Sequence, residues 1–182
     1  CITDPPYNVA YESASGDSIK NDEMTPDEWR EFMARVCKSI TSRTKGACYV
    51  FMSSKELPSL FDAWRRSKGS VLGLLLWAKD RFTLSRSDYH HQHEPILLGC
   101  PNGASPEFDG LHTSVIECPK PSSNSLHPTQ KPTALIRMLL EDSAEIGDTV
   151  IDPFCGSGTT LMVAEELGIS CYACDLDPRF VD

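Results

Sequence analysis

The chain has 182 residues, 40% of them hydrophobic, and a formal net charge of −9. That length supports one domain with a substantial core. It excludes a membrane span, because the most apolar run, Val71 to Ala78, is one strand long. No basic segment followed by an apolar one opens the chain, so secretion has no support and the expected compartment is the cytoplasm. The eight cysteines then read as free thiols, several in apolar runs (Cys48, Cys171, Cys174), rather than as disulfides. The acidity argues against a uniformly basic nucleic-acid binder. Its distribution is uneven, however. Residues 141–182 carry ten acids and one base, whereas residues 41–100 carry nine bases, including Lys79, against five acids, leaving room for a basic face.

The chain begins at Cys1, only three residues ahead of Asp4-Pro5-Pro6-Tyr7, and reads as an excised, N-terminally truncated domain. Thr25-Pro26-Asp27-Glu28 has the signature of a helix start: a capping hydroxyl, a proline in the first turn and a glutamate three residues after the threonine. Trp29, Phe32, Met33, Val36 and Ile40 continue at helical spacing as one apolar stripe. Ala47 to Met52 and Val71 to Trp77 read as buried strands, with a helix marked by Leu57, Leu60, Phe61 and Trp64 between them, ending near Gly69. Glu94 to Cys100 is a third strand. Residues 101–126 are loop, with a short strand at Val115-Ile116. A helix follows from about Thr133 through Leu140. The last unit is strand (Thr149 to Asp152), glycine turn, helix (about Thr159 to Leu167) and strand (Ser170 to Asp175). This alternation predicts an α/β fold with a mostly parallel sheet.

No metal site is expected. Cys171 and Cys174 have ligand spacing but no second pair to complete four ligands. The cluster at His90, His91 and His93 lacks the helical i, i+4 spacing of a histidine metal pair.

Two stretches carry the chemistry. In the last unit a strand runs into Asp152-Pro153-Phe154-Cys155-Gly156-Ser157-Gly158 and then into a helix. Gly156 and Gly158 let the backbone pass close to a ligand. Asp175, at the end of the next strand, can accept hydrogen bonds from both hydroxyls of a ribose. Only two glycines are present, which sets the loop apart from a dinucleotide fingerprint, and no Gly-Lys-Ser/Thr follows to make a phosphate loop. At the other end, Asp4-Pro5-Pro6-Tyr7 answers the problem of methylating an amine whose lone pair is delocalised into a base ring. Acceptors placed out of the ring plane favour a pyramidal nitrogen. The Asp4 carboxylate and the Pro5 carbonyl can be those acceptors, Pro6 stiffens the turn, and Tyr7 offers a ring to stack on a flipped-out base, worth about 1–3 kcal/mol. Positioning then drives an in-line transfer that needs neither metal nor covalent nucleophile.

Together with His127-Pro128-Thr129-Gln130-Lys131-Pro132, these strings make the chain resemble the β-type DNA amino-methyltransferases, which use S-adenosylmethionine. Segments Trp77-Ala78-Lys79-Asp80 and His93-Glu94-Pro95-Ile96-Leu97 look like recurring pieces of the same family. The resemblance implies a Rossmann-like methyltransferase fold with circularly permuted motif order. A catalytic half (1–100) would be followed by a variable loop (101–126) for target recognition and a cofactor half (127–182), all in a single domain 1–182. It further implies that Phe154, Gly156 and Gly158 line S-adenosylmethionine, that Asp175 holds its ribose, and that Asp152, Cys155, Ser157 and Thr159 complete the loop. His127, Thr129 and Lys131 would lie near its methionine end. The implied partner is double-stranded DNA with the target base flipped out, in a bacterial or phage restriction-modification setting, and homodimers are common among such enzymes. Aspartate at the first tetrapeptide position favours N6 of adenine. N4 of cytosine is the alternative, and a non-catalytic binding module is a further one, because the strand entering Asp4 retains only Cys1-Ile2-Thr3.

Overall fold

The computed structural model describes residues 1–9, 22–84, 88–121 and 130–178. Strands β1 (Ile2–Thr3), β2 (Cys48–Phe51), β3 (Gly69–Thr83), β4 (His91–Pro101) and β5 (Val115–Glu117) form one sheet in the order β1-β2-β4-β3-β5. Strands β6 (Thr149–Asp152) and β7 (Ser170–Ala173) form a parallel pair. Three of the five pairings are parallel, as expected, with an antiparallel β3–β4 hairpin set among them.

Helices cover both faces. Strand β2 alternates, sending Tyr49 and Phe51 to one core and Cys48 and Val50 to the other, as side-chain period 2 requires. The first core lies under α3 (Thr133–Glu141) and α4 (Thr159–Glu166), and the second under α1 (Pro26–Arg43) and α2 (Leu57–Arg66). Helix α1 starts where its sequence says. The Thr25 hydroxyl accepts from the Glu28 amide, the Glu28 side chain accepts from the Thr25 amide, and Trp29, Met33, Val36 and Ile40 are buried with Cys37. Helix α2 stops at Arg66, and Lys68 takes the left-handed φ of +60° before the chain enters β3. Trp64 of α2 lies flat on the hairpin, its Nε1 donating to the Ser70 carbonyl at 3.0 Å. A Cβ at Gly69 or Gly99 would fall 2.4 or 2.7 Å from that indole, which is why both positions are glycine.

The hairpin is longer than its hydrophobic signal. Strand β3 runs on past Trp77 to Thr83, and β4 begins at His91 rather than Glu94. From Asp80 to Leu84 the chain is exposed, so no buried face exists there to impose an apolar pattern. At the other end of the chain, Asp175 falls in the loop after β7 rather than within the strand. The short strand at Val115-Ile116 is present as β5, parallel to β3. All eight cysteines are free thiols. Among the described residues, no helix is long and apolar enough to cross a membrane.

Candidate active site

The tetrapeptide leaves the sheet at the end of β1. Its exit is clamped from residues 22–24: the buried Asp22 carboxylate accepts the Tyr7 amide at 2.8 Å, and the Asn8 side-chain oxygen accepts the Met24 amide at 2.7 Å. Asn8 itself has φ +54°, a conformation that asparagine tolerates better than most residues. Pro5 is buried beneath the turn, while Asp4 and Tyr7 are half-buried.

Asp4 is the end of a chain of alternating charges. Its Oδ2 accepts from Lys131 Nζ at 2.6 Å, and its Oδ1 accepts from the Tyr7 hydroxyl at 2.6 Å. Lys131 Nζ also stands 3.1 Å from Glu94 Oε2 and 3.2 Å from the Tyr7 oxygen. Glu94 Oε1 takes Lys79 Nζ at 2.6 Å. The two ammonium groups lie over aromatic faces, Lys79 above Trp77 at 4.8 Å, and Lys131 above Phe51 at 5.1 Å and Tyr7 at 5.4 Å. Two carboxylates and two ammonium groups cancel, which is what permits charges to sit this deep.

The ionisation states follow from those contacts. Burial alone would raise the Glu94 pKa, but Lys131 and Lys79 outweigh it and hold the carboxyl at about 2. Burial would likewise lower the Lys131 pKa, and the Asp4 and Glu94 charges turn that into a rise. The Tyr7 phenol is pushed well above its usual range by burial and then by the same two carboxylates, so it stays a donor and is no base.

The glycine loop is built differently. Gly156 and Gly158 have φ of +47° and +76°, a region that costs other residues about 1–2 kcal/mol. Space is not the reason at Gly158, since a Cβ there would meet nothing within 4 Å. Carboxylates orient the loop through its backbone. Asp175 Oδ2 accepts the Gly156 amide at 2.9 Å, and Asp152 Oδ1 accepts the Phe154 amide at 3.2 Å. The Phe154 ring meets Phe32 of α1 edge-on at 6.0 Å. Ser157 is half-buried on the loop, and Thr159 is buried at the first position of α4. The Cys155 thiol is raised to about 11 by burial, then by the Asp152 and Asp175 charges, which leaves it a poor nucleophile.

The two regions are joined by a hydrogen bond in which Thr3 Oγ1, next to Asp4 in the chain, donates to Asp152 Oδ1 at 2.9 Å. Asp152 is thereby committed to Thr3, Thr160 and the loop amide. Burial raises its pKa to about 6 against the lowering effect of those neutral donors.

The sequence-derived site residues therefore fall into two adjoining groups, Asp4 to Tyr7 with Lys131, and Asp152 to Thr159 with Asp175. His127 and Thr129 lie outside the described residues. Lys131 caps no open space, because its ammonium is occupied by carboxylates of the chain itself. Sequence reasoning gave no role to Glu94 and counted Lys79 toward a basic face, from which its burial against Glu94 removes it. The overlooked signal was a charged residue set close to an apolar run on each of two paired strands, Lys79 two after the buried Trp77 and Glu94 before the buried Pro95-Ile96-Leu97. The rest of the β3 run is not the buried strand expected, since Leu72 and Leu74 are exposed.

The sequence profile described as DNA methylase matches residues 1–182, the whole chain. A curated relative, Type II methyltransferase M.HpaI of Haemophilus parainfluenzae, is 26% identical over 210 residues, covering 100% of this chain and 65% of its own length. The chain thus spans just under two thirds of that relative. Among solved structures, the M1.HpyAVI–SAM complex superposes with a TM-score of 0.73 at 23% identity, covering 98% of this chain and 83% of that one. The cytosine-N4-specific PvuII DNA methyltransferase superposes at 0.77 and 16%, covering 99% and 76%.

Proposed function

We propose that this chain, which belongs to the DNA methylase family, transfers a methyl group from S-adenosylmethionine to an exocyclic amine of DNA, with N6 of adenine as the acceptor. The observation that carries the reading is the Thr3–Asp152 hydrogen bond. It sets the amine-binding turn beside the glycine loop, so that a base and a methyl donor held by the two would meet.

The residues of the loop fit the donor. Residues 141–178 contain no lysine or arginine, and Asp152 and Asp175 both face the loop backbone. Such a site repels a pyrophosphate and accommodates a cation. When bound, S-adenosylmethionine supplies a methyl group on a cationic sulfur. Phe154, Gly156 and Gly158 would line it, with Cys155, Ser157 and Thr159 as the rest of the wall and Asp152 bracing the loop from behind. Each Asp175 oxygen accepts one backbone amide and retains a lone pair for a ribose hydroxyl.

On the acceptor side, Asp4 has one partner on each oxygen and likewise keeps a lone pair on each for the amine. The Pro5 carbonyl is the second acceptor. With its hydroxyl turned inward to Asp4, Tyr7 contributes only its ring edge and face to the base. Acceptors fixed before the base arrives stabilise the transition state without reorganising. Aspartate rather than serine at position 4 supports adenine over N4 of cytosine.

Incubation with methyl-labelled S-adenosylmethionine and unmethylated DNA tests the reading, followed by nucleoside mass spectrometry. N6-methyladenine is the expected product. N4-methylcytosine would overturn the base assignment, and no label in DNA despite measurable cofactor binding would overturn the activity. Asp4→Ala is expected to lower the transfer rate by about 10²–10³-fold while S-adenosylmethionine still binds.

A further inference from the structure

The transfer gives no task to Glu94, yet this carboxylate meets three side chains around Asp4: Lys79, Lys131 and the Tyr7 hydroxyl. It lies across the β3–β4 ladder from Trp77 and bridges two ammonium groups, Lys79 at 2.6 Å and Lys131 at 3.1 Å. An ammonium has three donors. Those of Lys131 are matched by Asp4 Oδ2, Glu94 Oε2 and the Tyr7 oxygen, so its direction is fixed by three partners on two separate segments, the Asp4–Tyr7 turn and β4. Take Glu94 away and Lys131 keeps one charged partner, Asp4, toward which the flexible side chain is free to approach from a range of angles. The same loss leaves two buried ammonium groups facing one carboxylate.

We propose that Glu94 is a positioning residue for methyl transfer: it anchors the Lys131 ammonium, and Lys131 thereby sets the direction in which Asp4 presents its carboxylate to the target amine. This rests on the reading of Asp4 as amine acceptor. In this role Glu94 and Lys79 act through Lys131 rather than on the base or the cofactor. Burying four charges is costly compared with an apolar core of the same volume, and an acceptor held in one orientation is what that cost secures.

The test uses the full chain, methyl-labelled S-adenosylmethionine and unmethylated genomic DNA in single-turnover reactions. Glu94→Gln is expected to slow transfer by about 10- to 100-fold, with the dissociation constant for S-adenosylmethionine and the KM for DNA within about twofold of the parent. Because two ammonium groups then share one carboxylate, the variant should also show a fall in rate on the alkaline side that the parent lacks. The double variant Lys79→Met/Glu94→Gln restores the charge balance and so protects the fold. If Glu94 only neutralises Lys79, the double variant recovers the parental rate and the proposal is overturned. If Glu94 positions Lys131, the double variant stays slow. A parental rate in Glu94→Gln itself would also sink it. Asp4→Ala assayed alongside separates the two readings: an active Asp4→Ala removes the acceptor role, whereas an inactive Asp4→Ala beside an unaffected Glu94→Gln removes only the role of Glu94.

Discussion

Two carboxylates, the half-buried Glu94 and the buried Asp152, lie on either side of the site and ionise in opposite senses. Glu94 is held down at about 2 and Asp152 is raised to about 6. Burial pushes both upward. What differs is the partners, two ammonium groups for Glu94 against hydroxyls and a backbone amide for Asp152. Full charges overcome desolvation where neutral donors do not. The contrast extends to design. The turn at Asp4 is defined by side-chain charges, and the glycine loop by backbone conformation that carboxylates merely steady.

The contrast breaks most visibly at its shared cation. Lys131→Met should cost about 3 kcal/mol in urea unfolding, because it leaves Asp4 and Glu94 as half-buried carboxylates near each other with Lys79 alone in compensation. A loss under 1 kcal/mol would mean that solvent already shields the pair. The next effect is in pH. A raised acid pKa means that the folded state holds the proton more tightly, so the Asp152 contribution is most favourable below its ordinary value of 3.8 and declines as pH rises toward 6. Glu94 works the other way, stabilising fully above 4.5 and fading as pH falls toward 2. Relative to Asp152→Asn, the parent should therefore lose about 2–3 kcal/mol between pH 4 and 6; parallel stability curves for the two proteins would refute this.

Smaller effects belong to the loop side. Gly158→Ala forces a side chain into φ +76° and should cost about 1–2 kcal/mol while weakening S-adenosylmethionine binding, readable by calorimetry. Thr3→Val removes one neutral hydrogen bond from Asp152 and should cost about 1 kcal/mol. A larger loss at Thr3 than at Lys131 would reverse the ranking of the two regions.

Much of this was legible in the sequence because the informative patterns are local. The capping box at Thr25, the stripe from Trp29 to Ile40 and the strand–glycine–helix unit from Thr149 each reside within a few turns of chain, and each is present. The tetrapeptide and the loop stood out as candidate sites for the same reason. What escaped was set by tertiary pairing. The hairpin beyond Trp77 has no buried face to imprint a pattern, and residues 109–112 of the long loop are tied to Asp142 at the end of α3 through contacts that leave no trace in spacing. Glu94 and Lys131 are 37 positions apart and meet only because β4 and the start of α3 converge on Phe51 and Tyr7. Lys131 was thus expected near the methionine end of the cofactor, and nothing in its spacing shows that it meets Asp4 and Glu94 of the chain itself.

The Thr3–Asp152 bond has a kinetic side. It closes a loop of 149 residues, among the most distant contacts the chain makes and therefore among the slowest to be rewarded during folding. The first strand and the glycine loop are far apart in sequence, so the two candidate halves of the site come together only once β1 and β6 have docked. A ligand that engages the loop would accordingly slow unfolding at the seam between β1 and β6, where two segments far apart in sequence are held together.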